Sequence, residues 1–243
     1  MNSIRACENE AVGRHHFERI PPSYAGMMIA ICGTDAAGKA TQTKLLAEAI
    51  GGEVVSFPDY TTAIGKLILA HLKDQWQATE VKYGAHVKAD HDALVLQSLF
   101  TVNRLELLPR IAALRAAGKP VVLDRYWLSG VVYGTLDGLD QDWLWEIHES
   151  LPAPDAWVLI DVDPEESVRR RPERRDRYEK QAGLMAKARA EYLSIFESRK
   201  MSWLTGLTAG PQWHIVDGHG TIEEVHARLL GIVQALASSP TVR

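Results

Sequence analysis

The sequence predicts an α/β fold in which a doubly wound parallel sheet of about five strands is flanked by helices. Short apolar runs typical of buried strands alternate along the chain with longer segments of helical periodicity. The first apolar run is followed by a glycine-rich loop and then by a helical segment, as in a βαβ unit. We therefore expect a single domain over residues 27–238, a loosely ordered N-terminal extension over residues 1–26, and a short tail over residues 239–243.

The predicted elements follow from composition and spacing, taken in chain order. A strand at 28–32 leads through the loop to a helix at 41–50, which two glycines end before a strand at 53–57. Helical periodicity returns at 63–72, and residues 73–92 are polar and poorly periodic, so we predict an insertion there. The remaining predicted elements are helix 93–117, strand 120–123, helix 143–151, strand 156–162, helix 165–171, helix 183–200, strand 213–216 and helix 221–237.

Composition limits the classes of partner. The 243 residues are 46% hydrophobic and 24% charged, which is ordinary for a protein with a sizeable core. A net charge of -4 argues against a surface that coats nucleic acid. No apolar run approaches the ~18 residues of a membrane span. The two cysteines, Cys7 and Cys32, cannot form a disulfide framework. We expect a cytoplasmic protein with no nucleic-acid and no membrane partner.

The loop from Gly33 to Thr41 has the G-x(4)-G-K spacing of a phosphate-binding P-loop. Its glycines let successive backbone N–H groups face a polyphosphate, and Lys39 adds a positive charge. An ordinary turn with a chance glycine and lysine is the alternative, which the intact spacing disfavours. Ala40 stands where a Mg²⁺-binding Ser or Thr is usual. We predict a nucleotide site that has lost one protein ligand to the metal.

A second motif, Asp124-Arg125-Tyr126, directly follows a predicted strand. Residues at the carboxyl ends of parallel strands border the ligand site of open α/β sheets, so the motif should lie beside the P-loop. There Asp124 would hold Mg²⁺, directly or through water, and Arg125 would bind a phosphate in bidentate fashion. A salt bridge at the end of the strand is the alternative interpretation.

Two further patterns are weaker when taken alone. Phe100 and Arg104 share one face of a predicted helix, as a base-recognition pair would, but a core phenylalanine beside a solvated arginine has the same spacing. Residues 169–177 contain six arginines and a helix-interrupting proline. We predict that this segment is part of a lid (about 169–180) closing over a polyphosphate, the alternative being a solvated charged face.

Together these residues resemble the thymidylate kinase family of P-loop nucleoside monophosphate kinases, from about Met28 to the final helix. The family's loop pattern G-x-D-x-x-G-K-x-T-Q corresponds to Gly33 to Gln42. The resemblance implies that Asp35 approaches the sugar or phosphate of the acceptor and that Lys39 binds the donor phosphates. The residues implied to bind ATP are Gly33, Ala36, Ala37, Gly38, Lys39, Ala40 and Thr41.

The resemblance also implies an acceptor site. The segment Phe57-Pro58-Asp59-Tyr60 is similar to one that lines the family's acceptor site, where some members carry an arginine and this chain has Tyr60. Phe100 would stack on thymine and Arg104 would hydrogen-bond its O4. Ser129, Gly130 and Tyr133 follow the Asp-Arg-Tyr motif as in the family, and Tyr133 would pack beneath the sugar and disfavour a 2′-hydroxyl. The implied acceptor residues are Asp35, Phe57, Pro58, Tyr60, Phe100, Arg104, Arg125, Ser129, Gly130 and Tyr133.

The implied activity is transfer of the γ-phosphoryl group of ATP to dTMP with Mg²⁺ as cofactor, by a cytoplasmic homodimer. With Ala36 and Ala37 in the P-loop, the catalytic arginine would come from the lid. The implied catalytic residues are Lys39, Asp124, Arg125, Arg170, Arg174 and Arg177, with Asp124 as the metal ligand. The alternatives are a kinase for dUMP or a 5-substituted dUMP, a nucleoside kinase, which we rank lower, and a nucleotide-binding module without turnover.

Overall fold

A computed structural model describes residues 24–73, 85–170, 183–204 and 210–238, with side chains outside the description at 85–90 and 200–204. Five parallel strands form one sheet in the order β2-β3-β1-β4-β5. The strands are β1 (Met28–Cys32), β2 (Glu53–Ser56), β3 (Val121–Asp124), β4 (Ala156–Asp161) and β5 (Gln212–Asp217). The predicted fold class is therefore confirmed.

Eight helices are formed by the described residues. They are α1 (Lys39–Ile50), α2 (Ala63–Leu72), α3 (Ala85–Ala116), α4 (Trp127–Leu136), α5 (Gln141–Glu146), α6 (Pro164–Arg170), α7 (Leu184–Leu204) and α8 (Ile222–Ser238). Within this part of the chain, no helix is both long enough and apolar enough to cross a lipid bilayer.

The central strand β1 explains how the helices are divided between the two faces of the sheet. All five of its residues are fully buried, and successive side chains of a strand point to opposite faces. Met28, Ala30 and Cys32 join a core cluster with α3, α4 and α7. Ile29 and Ile31 join a second cluster with α1 and α8. Because both faces are covered, the strand consists of apolar residues throughout, which is why it was recognisable in the sequence.

The strand order brings the two predicted motifs to one edge. β1 and β3 are neighbours, with Ile31 opposite Asp124, so the P-loop and the Asp-Arg-Tyr motif leave the sheet side by side. The chain runs from β1 toward β2 on one side and from β3 toward β4 on the other. Such a reversal opens a crevice at the carboxyl edge of the sheet.

Three elements differ from the predictions. Helix α4 was not predicted, because seven of its ten residues are buried and it therefore lacks the polar face that marks an amphipathic helix. Helix α3 begins at Ala85, so the predicted insertion at 73–92 is helical in its last part, and residues 74–84 lie outside the description. The helix predicted at 143–151 is α5, Gln141–Glu146. It begins at Gln141 because the carboxylate of Asp140 accepts a hydrogen bond from the backbone N–H of Trp143 and caps its N-terminus.

Two predicted regions fall largely outside the described residues. The lid prediction at 169–180 includes Arg174 and Arg177, which belong to the undescribed range 171–182, whereas Arg170 ends helix α6. Of the predicted extension, residues 1–23 are also outside the description.

Candidate active site

The loop between β1 and α1 has the backbone conformation that its glycines allow. Gly33 has φ +147°, and an added Cβ would lie 2.7 Å from the carbonyl oxygen of Ile160. Gly38 has φ +90° and caps the N-terminus of α1. A side chain at either position would be strained, and at Gly33 it would also clash with the neighbouring strand. The predicted P-loop is thus formed at the carboxyl end of β1.

Lys39 lies under this loop with only 5% of its surface exposed. Its Nζ donates a hydrogen bond to the carbonyl oxygen of Thr34 at 2.5 Å, which ties the lysine to the loop. Next to it, Ala40 is exposed on the first turn of α1. The charge of Lys39 is therefore held within the loop, and the following position offers no side-chain oxygen.

Asp124 stands at the end of β3 with one carboxylate oxygen unsatisfied. Its Oδ1 is buried and has no hydrogen-bond partner among the residues that the structure describes. Burial raises the pKa of Asp124, and the positive charge of Lys39 acts in the opposite direction. A buried oxygen without a partner is costly unless a ligand or water satisfies it. The donor set therefore fits a hard cation such as Mg²⁺, bound directly or through water.

Arg125 has a left-handed backbone conformation, and its side chain contacts the P-loop. Its φ is +61°, a left-handed conformation that is uncommon for a residue with a side chain. Its guanidinium forms an ion pair and hydrogen bond with the carboxylate of Asp35 in the P-loop. Left-handed residues of this kind cluster at functional sites, where the surrounding structure holds them. The two motifs are thus linked directly by their charged side chains.

A cavity of about 360 Å³ opens beside this ion pair, and we call it the first cavity. All ten residues predicted to bind the acceptor border it, together with Asp124. Three further side chains that sequence reasoning did not select also border it, namely Ser56, Leu72 and Gln97. Residues from five separate parts of the chain therefore border one space.

Arg104 is a buried residue in the lining of the first cavity. Only 3% of the residue is exposed, and its Cζ lies 5.9 Å from the centroid of the Phe100 ring. Burial lowers the pKa of Arg104 to about 10, so the guanidinium remains charged at neutral pH. Both members of the predicted pair therefore border a cavity, with the arginine buried and Phe100 half-buried, and the alternative of a solvated arginine is wrong.

His148, which sequence reasoning missed, holds this arginine. Nη1 of Arg104 lies 3.0 Å from Nε2 of His148, and Nδ1 of His148 lies 2.6 Å from the carbonyl oxygen of Leu144. Since a carbonyl can only accept, Nδ1 carries the proton and Nε2 accepts from Arg104. Burial, and then the charge of Arg104, lower the pKa of His148 to about 3. A neutral histidine thus supplies the acceptor, and a lone histidine in the sequence carried no signal of this.

Tyr192 packs behind two residues that border the first cavity, Ser129 and Tyr133. The ring of Tyr133 meets the ring of Tyr192 edge-on, with centroids 6.5 Å apart and an interplanar angle of 80°. The hydroxyl of Tyr192 donates to Oγ of Ser129 at 2.9 Å. Tyr192 is fully buried in α7 and contacts both Ser129 and Tyr133, two of the residues predicted to bind the acceptor. It lies 59 positions or more from both in the sequence, and no local pattern identified it.

The segment 57–60 is held against α3 by Asn103. The Oδ1 atom of Asn103 accepts from the backbone N–H of Asp59, and its Nδ2 donates to Oγ1 of Thr62, both at 2.9 Å. Thr62 is also the N-cap of α2 and accepts from the N–H of Gly65. One buried amide therefore connects the cavity wall, helix α2 and helix α3.

A second cavity of about 470 Å³ lies along the P-loop and the first turns of α1 and α8. Of the predicted ATP-binding residues, Ala36, Ala37, Gly38 and Thr41 border it, whereas Gly33, Lys39 and Ala40 do not. Arg170 also borders this second cavity, and its guanidinium is held by hydrogen bonds to Glu166 and to the carbonyl oxygen of Gly218. The second cavity is thus bordered both by the P-loop and by Arg170, the described arginine of the predicted lid that was assigned a catalytic role.

Comparison with known proteins yields one consistent family. The sequence model described as thymidylate kinase matches residues 31–229. A thymidylate kinase of Schizosaccharomyces pombe is 30% identical over 213 residues, which cover 86% of this chain and 91% of that protein. A probable thymidylate kinase of Thermococcus gammatolerans is 32% identical over 216 residues, covering 86% and 96%. The solved structure of a thymidylate kinase from Candida albicans is similar with a TM-score of 0.69 at 28% identity, covering 87% of this chain and 92% of that one.

Proposed function

The chain belongs to the thymidylate kinase family and is a nucleoside monophosphate kinase that phosphorylates dTMP; on this premise we propose that ATP with Mg²⁺ is the phosphoryl donor. The products would then be dTDP and ADP. We further propose that dTMP occupies the first cavity and that ATP lies along the P-loop toward the second cavity. The donor and acceptor phosphates would meet between Lys39 and Arg125.

The carrying observation is the arrangement of the first cavity. The aromatic ring of Phe100 and the buried Arg104 border it, and so do both partners of the ion pair between Arg125 and Asp35. A base that stacks on Phe100 and accepts a hydrogen bond from Arg104 would direct its phosphate toward Arg125. That phosphate would compete with Asp35 for the guanidinium, because both are anions with oxygens suited to a bidentate contact. Tyr133 would pack beneath the sugar and disfavour a 2′-hydroxyl.

Mg²⁺ would be held by Asp124, whose unsatisfied Oδ1 supports this role. When bound, the ion would neutralise charge on the donor phosphates. Thr41 borders the second cavity one position after the usual metal-binding hydroxyl, so we propose that it contacts the donor nucleotide. The remaining P-loop groups would donate backbone N–H bonds to the phosphates.

The reaction requires the enzyme to position the two phosphates and neutralise their charge, and it does not require a side chain to remove a proton from the acceptor. A phosphate monoester has its second pKa near 6, so the acceptor is already mostly a dianion at neutral pH and needs no general base. Lys39, Arg125 and Arg170 would neutralise the charge that spreads over the transferred group, together with Arg174 and Arg177 of the proposed lid. Closure of that lid would also exclude water, which would otherwise compete for the γ-phosphoryl group.

The test is coupled ADP release with Mg²⁺-ATP and a panel of acceptors, with Lys39→Ala as the blank. The panel contains dTMP, dUMP, dCMP, dGMP and the ribonucleotide of thymine. We expect a rate that is selective for dTMP, depends on Lys39, and falls with the ribonucleotide because of Tyr133. ATP binding without turnover of any acceptor would instead support a nucleotide-binding module.

A second candidate substrate class is dUMP or a 5-substituted dUMP. The methyl group of thymine contributes only ~1–3 kcal/mol of discrimination in an apolar pocket. The structure of the Candida albicans relative was described as revealing the origin of broad substrate specificity in that enzyme. The same panel separates the two cases, since a dUMP rate equal to the dTMP rate would establish the broader class.

We also propose a cytoplasmic homodimer. A free, buried thiol at Cys32 is compatible with a reducing compartment. Three large apolar side chains of α3 are 39–43% exposed, namely Leu94, Val102 and Leu105. Their spacing places them within one sector of the helix surface, where a second copy of the chain would cover them.

A further inference from the structure

The side-chain amide of Gln97 lacks hydrogen-bond partners among the described residues, and it belongs to a residue that borders the first cavity. The residue is fully buried, and neither its Nε2 nor its Oε1 has a hydrogen-bond partner among the described residues. Leaving such a buried group without a partner costs about 1–3 kcal/mol. Gln97 also borders the first cavity. A ligand in that cavity is therefore the natural partner for the amide.

The surrounding packing holds the amide beside Arg104. A Cβ added to Gly130 would lie 3.2 Å from Oε1 of Gln97 and 3.2 Å from Nη2 of Arg104, so both side chains converge on the same glycine. One turn later on α4, a Cβ at Gly134 would lie 3.4 Å from Cγ of Gln97. The two glycines leave the space that this long side chain occupies. On α3, Gln97 precedes Phe100 by three residues and Arg104 by seven, so all three lie on one face.

The polar groups of Gln97 and Arg104 together match one nucleobase edge, and Phe100 is placed to stack on the ring. Thymine presents the O4 acceptor, the N3–H donor and the O2 acceptor in a row, and a carboxamide offers one donor and one acceptor. A glutamine alone does not choose between thymine and cytosine, because rotation of its amide exchanges the oxygen and the nitrogen. Arg104 removes this ambiguity, since a guanidinium can only donate and therefore requires a carbonyl oxygen at position 4. The neutral acceptor at Nε2 of His148 holds that guanidinium in place.

We propose that Gln97 is a specificity-determining residue that reads the edge of the thymine ring, with Oε1 accepting from N3–H and Nε2 donating to an adjacent ring oxygen. This role rests on the proposed placement of dTMP in the first cavity. Rotation about the terminal side-chain bonds turns the amide from its buried position toward the base. Gln97 and Arg104 then select a 4-oxo pyrimidine with a protonated N3, and Phe100 contributes stacking without choosing between bases.

The experiment combines a protein change with a substrate change. Gln97→Met keeps the length and volume of the side chain but removes both polar atoms, and Gln141→Met on α5 is the matched control because Gln141 borders neither cavity. The substrates are dTMP and N3-methyl-dTMP, which lacks the N3–H donor. We expect Gln97→Met to lower kcat/KM for dTMP about 10- to 100-fold. Gln141→Met should leave it within about twofold.

The decisive readout is the ratio of kcat/KM for dTMP to that for N3-methyl-dTMP in each enzyme. The added methyl group has the same bulk for both enzymes, so a change in the ratio reports the hydrogen bond to Gln97. We expect the wild-type ratio to be about tenfold larger than the Gln97→Met ratio. Equal ratios would overturn the inference, even if Gln97→Met is slow with both substrates. If Gln97→Met does not fold, a wild-type enzyme that accepts N3-methyl-dTMP as well as dTMP also overturns it. A wild-type enzyme that turns over no dTMP would contradict the proposed function instead.

Discussion

At the scale of single residues, the site depends on how a buried positive charge is accommodated. Arg104 is almost fully buried, and its guanidinium donates to a histidine that burial keeps neutral. A carboxylate in that place would bind the arginine more strongly, but it would also compete with a ligand for the remaining N–H groups. A neutral imidazole orients the guanidinium and leaves its charge uncompensated. The arginine therefore stays available to a carbonyl oxygen in the cavity.

The neutral state of His148 has a measurable effect on stability. Its pKa is lowered from 6.5 to about 3 in the folded protein, so between these values the unfolded chain binds a proton that the folded chain does not. The free energy of unfolding should therefore fall as pH decreases through this window, by up to about 1.4 kcal/mol per pH unit from this group. His148→Gln, which does not titrate, should lack this contribution.

Urea unfolding of both proteins at pH 7.5, 6.0 and 5.0 measures the effect. The stability difference between wild type and His148→Gln should shrink steadily toward pH 5.0. If the stability of the two proteins changes with pH in parallel, His148 is protonated as readily in the folded chain as in the unfolded one.

Ala40 leads to a second prediction at this scale. Ala40→Thr places a hydroxyl where P-loops usually supply a metal ligand, and the exposed position gives it room. We expect the Mg²⁺ concentration for half-maximal activity to fall roughly tenfold. Ala40→Val has the same shape without the hydroxyl and is the control. If the valine variant gives the same change, shape rather than metal binding is responsible.

At the scale of elements, one wall of the first cavity depends on the junction between α2, α3 and the segment 57–60. Asn103 is fully buried and makes both of its connecting hydrogen bonds at 2.9 Å. Gly65 at the start of α2 would place an added Cβ 1.7 Å from the carbonyl oxygen of Asp59, so the helix and the segment are in direct backbone contact. The cavity wall is therefore positioned by a helix terminus rather than by its own short loop.

Replacing Asn103 should loosen this junction. Asn103→Ala leaves the N–H of Asp59 without its acceptor, and we expect a loss of about 1–3 kcal/mol in the free energy of unfolding. The KM for dTMP should rise more than kcat falls, because Phe57, Pro58 and Tyr60 border the first cavity. Denaturant unfolding and steady-state kinetics provide the two readouts.

The control for this change lies on the same helix. The hydroxyl of Ser98 is exposed and donates to the carbonyl oxygen of Leu94 within α3, its one hydrogen bond among the described residues. Ser98→Ala should remain within about 0.5 kcal/mol of wild type. An Asn103→Ala enzyme that is less stable but has an unchanged KM would mean that the segment 57–60 keeps its position without the amide.

At the scale of the whole molecule, the fold was predictable because its central strands are buried on both faces and the P-loop marks the first of them. The pairing of Asp124 with the P-loop was also predictable, since strand ends in such sheets share one edge. Helix α4 could not be predicted, because seven of its ten residues are buried and the sequence therefore lacks an alternation of polar and apolar faces. His148, Tyr192 and Gln97 were missed because their roles depend on contacts between distant elements. The division into an extension (1–26), a domain (27–238) and a tail (239–243) stays a prediction.

The proposed homodimer gives a prediction for the assembled molecule. Val102→Asp places a charge in the middle of the exposed apolar sector of α3, where burial against a second copy would then be costly. We expect light scattering to show a dimer for the wild type and a shift toward monomer for this variant. Val168→Asp changes an equally exposed valine of α6 outside that sector and should leave the mass unchanged. A monomeric wild type would contradict the dimer.

The position of Gln97, Phe100 and Arg104 on a single helix has a consequence for how the chain can change over time. The groups proposed to act on phosphates belong to the loops after β1 and β3 and to the end of α6. On the proposed assignment, nucleobase preference and phosphoryl transfer would be inherited in separable parts of the sequence. Drift or directed evolution confined to α3 would then alter which nucleotide analogues are accepted, while the chemistry that activates them would be passed on unchanged.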